Sequence, residues 1–325
     1  MRSVNGLHHV TAISGSAQEN VDFYAGVLGM RLVKKSVNQD DPGTYHLFYA
    51  DAEGHPGSDL TFFPWEQMAP PRMGHGLATE VSLEIPPGTA DYWGARLQKY
   101  SARIEGTETR FGARTVTLSD PHGMRVALVE GAVGSTRAFA PWSGSSVPAN
   151  QQIRGLYGAQ VWERDVAATE SFLTGVLGFE RVGEENGWTR YGFPNAAGVI
   201  DVREARDARR GAWGVGAIHH LAWRVDDEMH QFAVRQQVES AGAHPTPVID
   251  RFWFKSVYFQ EPGGVLFELA TDGPGFAVDE APERLGETLV LPPWLEASRA
   301  AIERALPALR LPEMSPAGPA TGGWQ

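Results

Sequence analysis

The chain has 325 residues, 42% of them hydrophobic and 21% charged, a composition typical of a globular protein long enough for two domains. Its 39 acidic and 28 basic side chains give a net charge of −11, which disfavours nucleic acid and anionic membrane surfaces as partners. Because cysteine is absent, disulfide frameworks, thiolate zinc sites and iron–sulfur clusters are excluded, and any metal must be held by His, Asp or Glu.

The amino-terminal segment, MRSVNGLHHVTAIS, lacks the apolar core of a signal peptide. No run along the chain approaches the roughly 18 apolar residues of a membrane span. We therefore expect a soluble, cytoplasmic protein whose partners are small molecules, and the composition leaves open whether it forms a homo-oligomer.

Two stretches of the sequence occur twice. FYAGVLGMRLV at 23–33 is similar to FLTGVLGFERV at 172–182, and RFGARTVTLSDPHG at 110–123 is similar to RFWFKSVYFQEPGG at 251–264. Since the two matches have nearly equal spacing, they indicate that the second half of the chain duplicates the first.

Each half divides again into two similar units. A strand-like opening precedes a helical stretch and then β-rich runs that end at turns containing Gly and Pro. In the first unit Val21, Tyr24 and Leu28 share one helical face, and Gly29 follows them as a stop signal. The sequence therefore predicts an α+β protein of four βαβββ modules, near 5–65, 74–131, 152–206 and 214–272.

A stretch rich in Gly, Ser, Ala and Pro separates the halves at 132–151, as is typical of a linker. We predict an N-terminal domain over 1–131, a C-terminal domain over 152–272 and a C-terminal extension over 273–325. Within the extension, spaced apolar side chains between prolines predict one docked helix over 292–306.

Two histidine doublets lie on opening strands, His8-His9 in the first module and His219-His220 in the fourth. Side chains alternate between the faces of a strand, so only one histidine of each doublet can face the concave side of a sheet. The face of HHLAWRV that carries His219 is otherwise apolar and suits helix packing. Alternation therefore selects His9 and His220 for the concave side and places His8 and His219 behind the sheet.

Glu268 lies on the last strand of module four, on the opposite face from the apolar Val265, Phe267 and Leu269. A carboxylate in so apolar a strand needs a partner, because an unpaired buried charge is costly. Two imidazoles and one carboxylate form the facial triad of non-haem iron enzymes, which leaves coordination positions open. The sequence thus predicts a metal site that joins modules one and four in one barrel, with modules two and three in another.

The duplicated modules provide an internal control. By the spacing of the repeats, Gly158 stands where His9 would be, Ala127 where Glu268 would be, and Glu80 where His220 would be. Modules two and three have therefore lost the ligand set, and we expect one metal site in the chain.

These features resemble the vicinal oxygen chelate superfamily (glyoxalase, bleomycin resistance protein and extradiol dioxygenase), and within it the hydroquinone-type ring-cleaving dioxygenases. The resemblance extends over nearly the whole chain and is most specific at 6–65 and in the tail LVLPPWLE at 289–296. Other matching pieces are RFGAR at 110–114, GAIHHLAW at 216–223, RFWFKSVYF at 251–259 and EPGGVLFELAT at 261–271.

The resemblance implies Fe(II), with Mn(II) as the alternative, on the second histidine of each doublet and on Glu268. It further implies that Thr11, Arg251 and Tyr258 line the pocket, and it adds His219 as a less certain member of the catalytic group. The implied activity is that of an extradiol-type, hydroquinone 1,2-dioxygenase-like enzyme that inserts both atoms of O₂ into a hydroquinone- or catechol-like ring. We assign no role to His46, His55, His75 or His122.

Two other functions share this fold. A glyoxalase-type isomerase or lyase would carry a fourth ligand, a carboxylate on the last strand of module one. Aligning PGSDLTFF at 56–63 with PGGVLFEL at 262–269 places Phe62 at that position, which disfavours this function. A metal-free binding or resistance protein would need no facial triad, and such proteins usually have two modules.

Overall fold

The computed structural model describes residues 2–131, 138–194 and 196–312. Within these ranges the order of one strand, one helix and three strands occurs four times, which confirms the predicted modules and the α+β class. Among the described residues, no helix is long and apolar enough to span a membrane.

The first two modules fill the N-terminal half of the chain. The first contains β1 (Leu7–Ser14), α1 (Ala17–Val21) continued by a π-helical turn (Asp22–Val27), β2 (Arg31–Val37), β3 (Tyr45–Ala50) and β4 (Asp59–Pro64). The second contains β5 (Leu77–Ile85), α2 (Ala90–Lys99), β6 (Arg103–Arg110), β7 (Ala113–Ser119) and β8 (Arg125–Glu130).

The other two modules repeat this order. The third contains β9 (Gly155–Glu163), α3 (Val166–Phe172) with a π-helical turn (Leu173–Leu177), β10 (Glu180–Glu185), β11 (Trp188–Gly192) and β12 (Val199–Glu204). The fourth contains β13 (Ile218–Val225), α4 (Glu228–Ser240), β14 (Ile249–Asp250), β15 (Lys255–Gln260) and β16 (Leu266–Thr271).

The strands form two curled sheets of eight, and each sheet joins one module from each half of the chain. The first has the order β14-β15-β16-β13-β1-β4-β3-β2, and the second has the order β10-β11-β12-β9-β5-β8-β7-β6. Modules one and four therefore share a sheet through the antiparallel β1–β13 pair, as predicted, and modules two and three share the other. The division into domains at the 132–151 linker remains a prediction, and residues 132–137 lie outside the described ranges.

The helices pack against the convex side of each sheet and bury its apolar face. Val10 and Leu221 lie on that face and are fully buried, between strand neighbours that point the other way. Because the side-chain period of a strand is two, this apolar packing fixes the register and so fixes which residues face the concave side. We call the concave side of the first sheet the first cup, and that of the second sheet the second cup.

The C-terminal extension closes the far end of the first cup. Phe276 and Leu285 of the extension pack in one apolar cluster with Phe48 and Trp253. The fully buried Lys34 ties the segment down, because its Nζ lies 2.7 Å from Asp279 Oδ1 and also bonds Glu280.

The predicted C-terminal helix begins later than expected. Residues Pro293–Ser298 form a 3₁₀ helix, and the α-helix α5 spans only Arg299–Ala305. Two shorter 3₁₀ turns precede it, at Phe276–Val278 and Pro282–Arg284. The α-helix is docked as predicted, since Ile302 is buried in a cluster with Val37 of β2.

Candidate metal centre and pocket

Both histidine doublets lie at β-bulges of the β1–β13 ladder. The pairing shifts by one residue at each doublet, and the extra residues are His8 and His219. A bulge turns a side chain away from strict alternation and often occurs beside an active site. The prediction that His8 and His219 lie behind the sheet is therefore wrong, because each ring lies against the ring of the histidine that follows it.

His9, His220 and Glu268 converge in the first cup. His9 Nε2 lies 3.3 Å from His220 Nε2 and 3.3 Å from Glu268 Oε2, and His220 Nε2 lies 3.0 Å from the same oxygen. All three side chains are buried. Among the described residues, this is the one group of three potential ligands whose atoms lie within 4.8 Å of one another.

The donor set and its spacing fit a transition-metal ion. Ligand atoms bound at about 2.1 Å to one ion are separated by roughly 3.0–3.4 Å, the spacing found here. Glu268 Oε1 accepts a hydrogen bond from Ser256 Oγ at 2.5 Å, whereas the buried Oε2 has no hydrogen-bond donor. Two imidazoles with one carboxylate suit Fe(II) or Mn(II), and Oε2 is the carboxylate atom free to bind the ion.

The first histidine of each doublet sets the orientation of the second. His8 Nδ1 lies 2.9 Å from His9 Nδ1, and His219 Nδ1 lies 2.8 Å from His220 Nδ1. His8 Nε2 lies 3.1 Å from the Thr271 carbonyl oxygen, to which it must donate. Its Nδ1 then accepts a hydrogen bond from the N–H at His9 Nδ1, and this leaves the lone pair of His9 Nε2 directed at Glu268. Such partners fix the tautomer of a metal-binding histidine.

Burial controls the protonation of these groups. Burial lowers the pKa of His8 to about 3, and it lowers the pKa of His219 to about 3, so both rings are neutral and can accept a hydrogen bond at Nδ1. For Glu268, burial alone would raise the pKa, but the adjacent His9 and His220 hold it well below its usual value. The carboxylate is therefore charged, as a metal ligand must be.

A cavity of about 40 Å³ is lined by His9 and His220, two of the three candidate ligands. Arg251 and Tyr258 are among the residues that line it, with the guanidinium 5.6 Å from the Tyr258 ring centre. Arg251 Nη2 also bonds Asp40 Oδ2 at 2.9 Å, which closes one side of the cavity. The remaining walls carry amides and aromatic rings, namely Asn38, Gln39, His46, Phe48, Phe63, Trp253 and Phe254.

Two further predicted residues, Thr11 and His219, are not among the described residues that line this cavity. Thr11 follows His9 on the concave face and bonds Thr61 through their hydroxyl oxygens at 2.7 Å. His219 is stacked on Trp213, with ring centres 4.3 Å apart, at the entrance to a larger surface groove. His219 therefore contacts the ligand His220 on one side and the groove on the other.

The position of the fourth ligand in a four-ligand site is held by Thr61. Glu268 pairs with Ala222 in the β13–β16 ladder, and Thr61 pairs with Thr11 at the equivalent point of the β1–β4 ladder. The prediction that Phe62 holds this position is wrong by one residue, because Phe62 faces the core. The conclusion is unchanged, since a threonine cannot replace the carboxylate.

The second cup has the same geometry without the ligands. The register of its central strands places Gly158 and Glu80 at the two histidine positions and Ala127 at the Glu268 position, as the repeat predicts. Glu80 is buried against Arg110, and Arg125 lies 3.5 Å from it. An ion pair therefore occupies the place that the candidate ligands hold in the first cup.

A second ion pair lies across from the first. Asp201 stands at the position equivalent to Thr61, where it pairs with Gln160 of β9. Its two carboxylate oxygens accept hydrogen bonds from Arg190 at 2.7 and 2.8 Å.

Comparisons with known proteins agree with this geometry. "Putative ring-cleaving dioxygenase MhqO" of Bacillus subtilis (strain 168) is 42% identical over 302 residues, which cover 93% of this chain and 95% of that protein. "Chlorohydroquinone/hydroquinone 1,2-dioxygenase" of Sphingobium indicum is 35% identical over 303 residues, which cover 90% of this chain and 93% of that protein. A solved structure described as a putative dioxygenase from Bacillus subtilis has a TM-score of 0.89 at 40% identity, covering 96% of this chain and 100% of that one.

A family model also matches both halves of the chain. It spans residues 6–128 and 158–269, and these ranges contain both histidine doublets and Glu268. Together with the two sheets and the relatives of similar length, this match confirms the resemblance found in the sequence. The chain belongs to the Glyoxalase/Bleomycin resistance protein/Dioxygenase superfamily.

Proposed function

We propose that this chain is a ring-cleaving dioxygenase that binds Fe(II) on His9, His220 and Glu268 and inserts both atoms of O₂ into a hydroquinone-like ring. The observation that carries the proposal is the convergence of these three buried side chains in a cup that has a threonine at the fourth ligand position. The relatives named as ring-cleaving dioxygenases support the same reaction class.

The metal would supply adjacent open coordination positions for a ring oxygen and O₂. The protein supplies the environment. Phe48, Phe63 and Phe254 give the pocket apolar walls that suit an aromatic ring and exclude water. Arg251 and Tyr258 lie on one side of the pocket, where both can donate hydrogen bonds to a substrate oxygen on which negative charge develops.

Tyr258 is held as the neutral phenol that this role requires. Burial raises its pKa, and the nearby Glu268 carboxylate raises it further. Its ring lies 5.5 Å from that of His220, so the hydroxyl group belongs to the same pocket as the ligands. A protonated phenol can donate a hydrogen bond at neutral pH, which a phenolate cannot.

The pocket must open to admit a substrate. A cavity that binds benzene measures roughly 150 Å³, and this one measures about 40 Å³. Residues 38–40 form one wall and are held by the Asp40–Arg251 ion pair, in which the Asp40 side chain is 75% exposed. Because the Asp40 carboxylate is exposed, water can solvate it when Arg251 turns to the substrate.

The glyoxalase-type and metal-free alternatives would each require a different set of residues in the cup. A glyoxalase-type isomerase would need a fourth protein ligand, and Thr61 does not provide one. A metal-free binding protein would have no need for a buried carboxylate directed at two imidazoles, because such an arrangement is costly without a metal.

The test is anaerobic loading of the protein with Fe(II), or with Mn(II) in parallel, followed by oxygen-electrode measurements on hydroquinone, chlorohydroquinone and catechol. We expect about one equivalent of metal per chain and oxygen uptake equal to the diol consumed. The glyoxalase-type alternative predicts metal binding without oxygen uptake. Less than a tenth of an equivalent of either metal, with no oxygen uptake, would instead favour a metal-free binding protein.

A further inference from the structure

His46 faces the first cup from the wall opposite Tyr258. In the strand YHLFYA, the side chains of Tyr45, Leu47 and Tyr49 belong to the apolar core, so alternation turns His46 and Phe48 to the cup. The imidazole lies between two aromatic rings, with centres 3.8 Å from Phe48 and 4.4 Å from Phe63. These contacts hold the ring in one orientation at the wall of the cavity.

The pseudo-symmetry of the sheet relates His46 to a residue that supports a metal ligand. Tyr258 pairs with Glu268 and Phe48 pairs with Thr61, so Ser256 and His46, two residues earlier on each strand, are equivalent. Ser256 donates a hydrogen bond to Glu268, and His46 Nε2 lies 2.9 Å from Thr61 Oγ1. The His46–Thr61 pair therefore stands in the place of Ser256 and a fourth carboxylate.

A hydrogen-bond chain fixes which imidazole nitrogen faces the cavity. Thr61 Oγ1 lies 2.7 Å from Thr11 Oγ1 and 2.9 Å from His46 Nε2, so Nε2 is engaged. His46 Nδ1 has no hydrogen-bond partner among the described residues. Because both hydroxyl groups can reverse their hydrogen bonds, the imidazole can present Nδ1 either as an acceptor or as a donor.

Apart from the metal ligands and the Tyr258 hydroxyl group, the other polar side chains of the pocket already have partners. Arg251 bonds Asp40, its carbonyl oxygen accepts from Gln39, and its guanidinium lies over the Tyr258 ring. The Asn38 side chain caps the backbone of the following turn. His46 is thus the polar group opposite Arg251 that a substrate can engage without breaking an existing bond.

We propose that His46 is a substrate-binding residue that hydrogen-bonds, through Nδ1, the ring hydroxyl group remote from the metal. The proposal rests on the proposed function and makes it more specific. In a hydroquinone the two hydroxyl groups lie on opposite sides of the ring, so only one can reach the metal and the other needs a partner. In a catechol the hydroxyl groups are adjacent, and both can reach the metal. His46 therefore selects para-diols.

The test compares His46→Phe with the unaltered protein, both loaded anaerobically with Fe(II). Phenylalanine preserves the ring that packs between Phe48 and Phe63 but has no nitrogen. Dissociation constants for hydroquinone, catechol and phenol are measured by calorimetry without oxygen, so turnover is not needed. His244→Phe serves as the control, because His244 is exposed.

We expect the unaltered protein to bind hydroquinone roughly tenfold more tightly than phenol, the scale of one buried neutral hydrogen bond. In His46→Phe the ratio of the dissociation constants of phenol and hydroquinone should fall to about one. The affinities for phenol and catechol and the iron content should be unchanged. The proposal is overturned if the variant keeps the preference, or if it weakens all three ligands equally. Failure of the unaltered protein to bind any of them would instead refute the proposed function.

A second variant covers the case in which His46→Phe does not fold or does not bind iron. Thr61→Val keeps the imidazole but removes the hydroxyl group that holds its Nε2. We expect the preference for hydroquinone over phenol to fall at least threefold, because the imidazole loses its fixed orientation. An unchanged preference in Thr61→Val would overturn the role assigned to the chain of hydroxyl groups and, with it, the proposal.

Discussion

Replacement of Glu268 by glutamine tests the metal centre most directly. The side chain is fully buried, and its Oε2 lies 3.0 Å from His220 Nε2 and 3.3 Å from His9 Nε2. Glutamine has nearly the same shape and can still accept the hydrogen bond from Ser256, but its neutral amide is a poor ligand. We therefore expect Glu268→Gln to fold and to lose metal binding.

The magnitude follows from linkage between binding and folding. A metal present at a thousand times its dissociation constant stabilises the folded state by about 4 kcal/mol. For a chain of this size, 1 kcal/mol corresponds to roughly 2 °C in the apparent Tm, so saturating Fe(II) or Mn(II) should raise it by roughly 8 °C. In Glu268→Gln the increase should be below about 2 °C.

The assay is anaerobic thermal unfolding followed by circular dichroism, with and without metal. Glu80→Gln is the matched control, because Glu80 occupies the equivalent cup position in the second sheet and is also buried. That variant should unfold at a lower temperature, since it breaks the pair with Arg110, yet its metal-induced increase should equal that of the unaltered protein. Equal metal-induced increases in all three proteins would show that the metal is not held in the first cup.

Four other changes have defined outcomes. Thr61→Glu adds the missing carboxylate and should raise metal affinity at least tenfold while abolishing oxygen uptake, measured by metal competition and an oxygen electrode. Tyr258→Phe should retain its iron and lose roughly 100-fold in turnover per iron; a fall in Tm alone would indicate a structural role. Arg251→Lys keeps the charge but loses the planar fork, so the KM for hydroquinone should rise; an unchanged KM would remove Arg251 from the site. Burial next to Glu261 raises the pKa of Glu163 to about 9. The folded state therefore retains a proton that the unfolded chain releases above about pH 4.5. Stability should fall as the pH rises from about 4.5 to about 9. Glu163→Gln should therefore reduce the loss of Tm between pH 5 and pH 9, and an undiminished loss would contradict this account.

The grouping of the three candidate ligands could be predicted from the sequence because the side chains of a regular strand alternate between its two faces. His9 and His220 occupy equivalent positions on the opening strands of modules one and four, and Glu268 alternates with apolar neighbours on a last strand. Each inference needed only a period of two and the spacing of the repeats. The joining of modules one and four then follows, because all three side chains must reach one metal ion.

Strand alternation does not predict where bulges occur or how neighbouring strands are aligned. His8 and His219 are themselves the extra residues of the two bulges in the β1–β13 ladder, and no feature of the sequence predicts a bulge at either position. The fourth ligand position was predicted one residue too late, at Phe62 and not at Thr61. The error arose because the Gly-containing turns before β4 and before β16 differ in length by one residue. His46 could have been found, since the alternation in YHLFYA already turns it away from the core.

The two cups show how one architecture handles buried carboxylates in two ways. In the first cup, two imidazoles lie next to Glu268 and only one of its oxygens has a hydrogen-bond donor, so its charge is fully compensated only when a cation binds. In the second cup, Glu80 and Asp201 are each compensated by an arginine, and no cation is required. Because removing one partner of a buried pair is strongly destabilising, the second cup depends on its own arginines, whereas the first depends on what it binds.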